Sequence, residues 1–203
     1  MSLEGIVALI LGFSLGLVCG LRAGPVSMAS QVRLLSQMAR VDALTGLLNR
    51  RAFEEHLAEL DAVAQRYGQG FSLLMIDLDH FKSLNDRAGH PAGDAALRQI
   101  AAMFREQVRE ADRVFRIGGD EFAILCPCTP AEGAMVLAER LRASVTTLSI
   151  PQLRFSAGIA EASGSATAAD DGQADIVQRA DAALMTSKRA GGDQVQVEPA
   201  VPE

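Results

Sequence analysis

The chain opens on a stretch with no polar rhythm at all. Residues 5–21 read GIVALILGFSLGLVCGL, seventeen positions without a charge, with Glu4 before them and Arg22 after. As a helix the run would span roughly 25 Å, the short edge of a bilayer core, and Met1 and Leu3 extend it. A single membrane anchor over 1–22 fits this pattern best; a cleaved signal peptide and a buried core helix are the alternatives. A signal peptide requires a basic leading region, yet the charge ahead of the run is Glu4. A lipoprotein signal requires a small residue where Val18 precedes Cys19. Gly24-Pro25 then breaks the chain. Met28, Val32, Leu35 and Ala39 follow at steps of four, three and four, a heptad seam under two heptads long. They predict a linker helix over 23–40, either dimerising or simply amphipathic.

Beyond residue 40 the rhythm alternates between helix and strand. Phe53, Leu57, Leu60 and Val63 mark one face of a helix over about 50–66, ended by Gly68 and Gly70. Phe71–Ile76 is short, apolar and bounded by Gly70 and Asp77, which predicts a strand buried on both faces. Leu97, Ile100, Phe104 and Val108 mark a second long helix. Arg113–Ile117 and Phe122–Cys126 predict two strands joined by Gly118-Gly119-Asp120-Glu121, a hairpin. Thr129-Pro130-Ala131-Glu132 has the form of a capping box opening a helix to about Val145. Leu153–Ala160 predicts a strand, 163–172 a small polar loop, Ile176–Arg189 a helix and Gln194–Val197 a last strand. The class is therefore an α/β sandwich containing antiparallel pairs.

Charge changes this picture in one respect. The chain holds 19 Lys+Arg and 25 Asp+Glu, a net −6. Arg22, Arg33 and Arg40 all follow the uncharged run, so the positive-inside rule puts its C-terminal side in the cytoplasm of an inner-membrane protein. Without residues 1–40 the rest carries 16 basic and 24 acidic residues, a net −8. Broad nucleic-acid binding through a basic face is excluded. Aromatics are 4% with no Trp, which argues against a base-stacking platform. Cys19, Cys126 and Cys128 are too few for a disulfide framework and lack further ligands at zinc spacing.

The candidate chemistry lies in carboxylates. Asp77 closes the buried strand, and Asp79 follows. Isolated buried charge is costly, but a divalent cation sharing its shell with water and phosphates would justify such acids. For Asp79 the plainer role, capping the short helix that follows, is the favoured reading. An EF-hand is excluded, because Phe81 occupies a ligand position and no Gly follows. Asp120-Glu121 form a second pair beside Gly118-Gly119, where missing side chains would let a flat base or ribose approach the backbone. Together with Asp77 they could build a two-carboxylate metal site that eases deprotonation of a hydroxyl nucleophile.

Several ordered motifs carry a resemblance. Residues 116–122 read RIGGDEF, 42–51 DALTGLLNRR, 77–86 DLDHFKSLND, 89–94 GHPAGD, 156–160 SAGIA and 180–184 ADAAL, with Lys188 beyond. Over about residues 38–198 the chain resembles the GGDEF diguanylate cyclases. The resemblance implies a polymerase-palm or nucleotidyl-cyclase-like fold, a central mixed sheet flanked by helices, in a catalytic domain at 41–198 with a tail at 199–203. It implies that two GTP are joined into cyclic di-GMP with release of pyrophosphate, each domain of a homodimer holding one GTP.

Carried over residue by residue, Asp77, the Leu78 carbonyl and Asp120 would hold Mg²⁺ (or Mn²⁺), with Glu121 assisting, and Asp120 would be the general base. Asn85 and Asp94 would read the guanine edge, whose mixed donors and acceptors suit an amide and a carboxylate. Lys82 and Lys188 would meet phosphates. Phe81, His90 and Gly119 would line the nucleotide site; for His90 a structural role in a turn is equally open. His80 has no support beyond a surface position. Arg109-Glu-Ala-Asp112, with five residues between Asp112 and Gly118, resembles the family's RxxD product-inhibition site, where Arg and Asp would bind cyclic di-GMP.

One departure stands out: the family's final helix is followed by Gly-Arg-Asn, whereas this chain reads Gly191-Gly192-Asp193, so Gly192 replaces an Arg expected at a phosphate. Arg189 lies one residue past Lys188 and should point elsewhere on the helix. The departure motivates an alternative to an active cyclase, a module that binds GTP or cyclic di-GMP without turnover. A third reading is a membrane-anchored dimerisation partner for another signalling protein. If 1–22 is an anchor, the full chain is expected to pellet with membranes and to resist extraction by high salt; release by salt would sink that reading.

Overall fold

The computed structural model describes residues 39–148, 150, 152–162 and 173–198. The expected anchor, nearly all of the linker helix, the 163–172 loop and the 199–203 tail lie outside these residues. Among the described residues no helix is long and apolar enough to cross a membrane.

Strand β1 (Leu48–Asn49) leads directly into helix α1 (Arg50–Tyr67). Asn49 caps that helix, its side chain accepting from the Ala52 amide at 3.1 Å. Gly68, with φ +67°, ends it in the left-handed region that glycine tolerates. Strand β2 (Phe71–Asp79) outruns the expected 71–76. Its paired neighbours carry the pleat through both acids. Helices α2 (Phe81–Ala88) and α3 (His90–Gln107) follow. Val108, expected on the α3 face, instead caps that helix in extended conformation.

The expected hairpin forms as β3 (Arg113–Arg116) and β4 (Glu121–Pro127), antiparallel, with Arg116 opposite Phe122. Helix α4 (Ala131–Val145) then precedes β5 (Arg154–Ala162), α5 (Gln173–Arg189) and β6 (Val195–Val197). The capping box does not form as expected. Thr129 Oγ1 donates to the Pro127 carbonyl at 2.9 Å. The Ala131 amide is instead accepted by Glu161 Oε2 of β5, at 2.7 Å and thirty residues away in sequence.

The six strands form one mixed sheet in the order β1-β3-β4-β2-β5-β6. β2 runs antiparallel to both β4 and β5, while the two outer pairs are parallel. Leu74, Ile76 and Leu78 project to one face, where they meet Leu97, Ile100 and Phe104 of α3 and Ala138 and Leu141 of α4. Phe71 and Leu73 project to the other, against Phe53 and Leu57 of α1 and Ala180 of α5. Strand β2 is thus sandwiched on both faces, as its nearly unbroken apolar run predicts.

One contact sets how closely α5 approaches. A Cβ at Gly158 of β5 would lie 2.1 Å from the Ala180 carbonyl oxygen and 2.2 Å from the Leu184 amide nitrogen of α5. Helix backbone rests on strand backbone there, which only glycine permits. Ser187 Oγ of the same helix donates to the Ala157 carbonyl at 2.7 Å. Gly158→Ala is expected to cost at least about 3 kcal/mol, because neither backbone can yield cheaply. Urea denaturation should show the loss as a lower midpoint at unchanged slope.

Candidate active site

The site is built at one end of the central strands. Asp77 on β2 lies opposite Glu121 on β4 and Ser156 on β5. The Leu78 amide donates to the Asp120 carbonyl at 3.2 Å, drawing the turn of the hairpin against β2. Lys188, near the end of α5, sets its Nζ 2.7 Å from Asp77 Oδ2. Burial lifts the Asp77 carboxyl above its ordinary 3.8, and the charges of Asp120 and Glu121 push the same way. Lys188 pulls it down without cancelling them.

The turn itself is fastened from several sides. The Arg116 side chain donates to the Gly119 carbonyl from Nη2 at 2.7 Å and from Nε at 3.2 Å, while its Nη1 reaches Asp42 Oδ1 at 3.0 Å. Arg50 Nε donates to the Ile117 carbonyl at 3.0 Å. Asp42 also accepts from the Thr45 amide at 2.9 Å and hydroxyl at 2.6 Å. Burial would raise the Asp42 carboxyl, but the hydrogen bonds from Thr45 and Arg116 outweigh it and hold the group below its ordinary value. Asp42 and Arg116 therefore act as positioning residues for the turn, a role that the sequence reading did not assign. The signal was present in the opening motif, but only folding brings positions 42 and 116 together.

Gly118 also leaves room within the protein itself. A Cβ there would stand 2.1 Å from Glu121 Oε2 and 3.1 Å from Glu121 Cβ. The missing side chain makes room for the Glu121 carboxylate, whereas a Cβ at Gly119 would meet open space. Asp79 does not cap α2. Its Oδ1 accepts from Ser156 Oγ at 2.8 Å and its Oδ2 from the Asp193 amide at 2.8 Å. His80 takes the N-cap position with φ +59° and makes no side-chain capping bond. It lines a cleft of about 330 Å³ with Asp77, Asp79, Arg154, Lys188 and the turn after α5.

The remaining expected residues lie around α2 and α3. Lys82 is exposed on α2, and His90 is exposed as the first residue of α3. Asn85 and Asp94 are partly buried on facing helices. A Cβ at Gly93 would lie 2.0 Å from Asn85 Oδ1 and 3.1 Å from Phe81 Cζ, so glycine lets the two helices close over these side chains. Phe81 itself is buried within the core. Arg109 and Asp112 share a separate small pocket with Cys126 and Arg140. There Asp112 Oδ2 accepts from the Arg109 amide at 3.0 Å. Burial, reinforced by Asp112, pushes the Cys126 thiol up to about 12, so it stays protonated.

Among the described residues no group of three or more His, Cys, Asp or Glu side chains is arranged to hold an ion alone. The donors at the end of β2 nevertheless suit a hard divalent cation. They are oxygens, and such ions share their shell with water and phosphate.

A family profile described as diguanylate cyclase, GGDEF domain, matches residues 39–194. The chain belongs to the GGDEF family. It is 41% identical over 167 residues to diguanylate cyclase DgcP of Pseudomonas aeruginosa, covering 79% of this chain and 24% of that protein. It is 39% identical over 165 residues to diguanylate cyclase DgcM of Escherichia coli K12, covering 79% and 39%. The chain thus spans between a quarter and two fifths of the length of these curated relatives. Among solved structures it is similar to the GGDEF domain of DgcB from Caulobacter crescentus in complex with c-di-GMP. The TM-score is 0.73 at 31% identity, over 79% of this chain and 96% of that one. It is also similar to diguanylate cyclase SiaD, solved with its activator SiaC from Pseudomonas aeruginosa, with TM-score 0.72 and 34% identity over 96% and 77% of the two chains.

In this GGDEF domain Asp77 binds its proton more tightly when folded than when unfolded, because its carboxyl is raised. Stability is therefore lost as pH rises from 3.8 through the raised value. Asp77→Asn removes that cost and leaves Lys188 free to reach water. The variant is expected to melt above wild type at pH 7, with the difference closing as pH falls to 3.8; paired thermal melts check it.

Proposed function

We propose that the domain is a diguanylate cyclase that condenses two GTP into cyclic di-GMP and two pyrophosphates. The observation that carries the reading is the meeting of Asp77, Glu121 and the fastened Asp120 turn at one strand end, beside a cationic Lys188. The diguanylate cyclases named above support it. Each GTP would occupy one domain of a homodimer, since neither domain alone presents two nucleotides to one another. The 3′-oxygen of one GTP attacks the α-phosphorus of the other, a new P–O bond forms, and the bond to the β-phosphate breaks. The reciprocal step closes the ring.

Asp77, the Leu78 carbonyl, Asp120 and Glu121 would hold Mg²⁺ or Mn²⁺, which supplies Lewis-acid stabilisation of phosphate charge when bound. Asp120 takes the proton of the attacking hydroxyl. Lys188 exchanges part of its contact with Asp77 for phosphate oxygen as negative charge develops. Asn85 and Asp94 hold the guanine edge, Phe81 and His90 flank the base, Gly119 leaves room for the ribose, and Lys82 approaches the phosphates from α2. Product would bind at Arg109 and Asp112 and inhibit. Residues 1–22 would tether the domain to the inner membrane with its catalytic part in the cytoplasm.

A second reading, binding without turnover, is favoured by Gly192. Its backbone sits at φ +76°, and a Cβ there would lie 3.1–3.2 Å from the Asp79 carboxylate. One assay separates the two. The full chain, confirmed dimeric and stripped of bound product, is incubated with GTP and Mg²⁺, and the products are separated by chromatography. Cyclic di-GMP is expected; its absence overturns the cyclase reading. In the same assay Arg109→Ala should keep its initial rate and lose inhibition by added product, and unchanged inhibition would remove the feedback site.

A further inference from the structure

Position 192 offers the cleft no cation, and its backbone leaves little room for one. Two cationic side chains do line the cleft, Lys188 and Arg154. Lys188 is committed to Asp77 at 2.7 Å. Arg154 is not comparably committed. It is the first residue of β5, opposite Asp79, which closes β2, so the sheet register sets it at the mouth of the cleft. Its Nη1 donates to the Leu153 carbonyl at 2.7 Å. Its Nε stands 3.4 Å from Asp193 Oδ2, long for a charge-assisted hydrogen bond.

Asp193 does not depend on that contact. Arg142 Nη1 holds the Asp193 Oδ1 at 3.1 Å and its carbonyl at 3.3 Å. Asp79 is likewise supplied, by the Ser156 hydroxyl and the Asp193 amide. The acids around Arg154 therefore have their own donors. The Arg154 side chain is 37% exposed at the edge of the cleft, and neither Asp79 nor Asp193 relies on it alone. A planar fork of N–H donors suits phosphate oxygens bidentately, and its charge persists at every working pH.

We propose that Arg154 is a polyphosphate-binding residue of this cleft, gripping the terminal phosphates of a nucleoside triphosphate beside Lys188. The proposal rests on the reading of the cleft as the GTP site. It gives the cleft a second cation from β5, where position 192 supplies none.

The test uses the full chain and equilibrium binding of two probes, a GTP analogue with a non-cleavable α–β bridge and GMP. Arg154→Ala is expected to weaken the triphosphate analogue about tenfold, the scale of one charged hydrogen-bonding contact, and to leave GMP affinity unchanged. Arg154→Lys should recover part of the loss. Arg154→Gln leaves a shorter, polar side chain with N–H donors and no charge; it should behave like alanine and serves if alanine fails to fold. Unchanged triphosphate affinity in these variants overturns the proposal. So does an equal loss for GMP and triphosphate, which would mark Arg154 as merely structural. Wild type that binds the analogue yet makes no cyclic di-GMP overturns the cyclase reading alone, and the triphosphate-to-GMP ratio still decides Arg154. Wild type that binds neither probe overturns both.

Discussion

A carboxylate at the end of a strand buried on both faces needs a counter-charge, and much of this domain is arranged around meeting that need at Asp77. Lys188 supplies it from the far end of α5. That helix reaches the right depth because its backbone rests directly on Gly158 and Ser187 ties it to the β5 carbonyl at Ala157. Strand β4 brings Glu121 alongside, and the Leu78 amide pulls the Asp120 turn inward. The result is a cluster of acids whose central member, Asp77, is raised above its ordinary value mainly by burial, with the Asp120 and Glu121 charges adding to it. On the proposed reading, a cation bound there would let an acidic domain address a phosphate-rich ligand.

Rigidity is the second theme. The turn that carries Asp120 has few side chains of its own to anchor it, yet Arg116, Arg50 and Leu78 each hold one of its carbonyls. Asp42 fixes Arg116 in turn. Acids on an unfastened glycine turn would lose entropy on binding a ligand; here donors from outside the turn already hold its backbone.

Long elements with a strong period were legible in the chain. Helix α1 and the β3–β4 hairpin lie within a residue or two of their expected bounds, and the apolar run of β2 announced a doubly covered strand. Two-residue β1 was not, because two positions carry no period. The capping box did not form: the Thr129 hydroxyl turns to the Pro127 carbonyl, and a carboxylate from β5, thirty residues downstream, takes the Ala131 amide. Asp79 was open to reading as a helix cap because its actual partners, Ser156 and Asp193, are distant in sequence. For the site, motif and residue type picked out Asp77, Asp120, Glu121 and Lys188, which the fold brings to one strand end. What they could not disclose was support across the sheet: the Asp42–Arg116 clamp, the space Gly118 leaves for Glu121, and Arg154 at the cleft's mouth.

The strand order has a consequence for how the domain comes into being. β2 is made early in the chain but is completed only by β5, with Asp77 pairing Ser156 across 79 residues. Sheets dominated by such distant pairings fold slowly, since each closes a large loop before any contact compensates. Lys188 arrives later still, on a helix that cannot seat until Gly158 is in place. During synthesis the acids of β2 and β4 therefore exist before the basic group that offsets them. A chain paused after β4 would carry unpaired strand edges and uncompensated carboxylates, the form most exposed to proteases and chaperones.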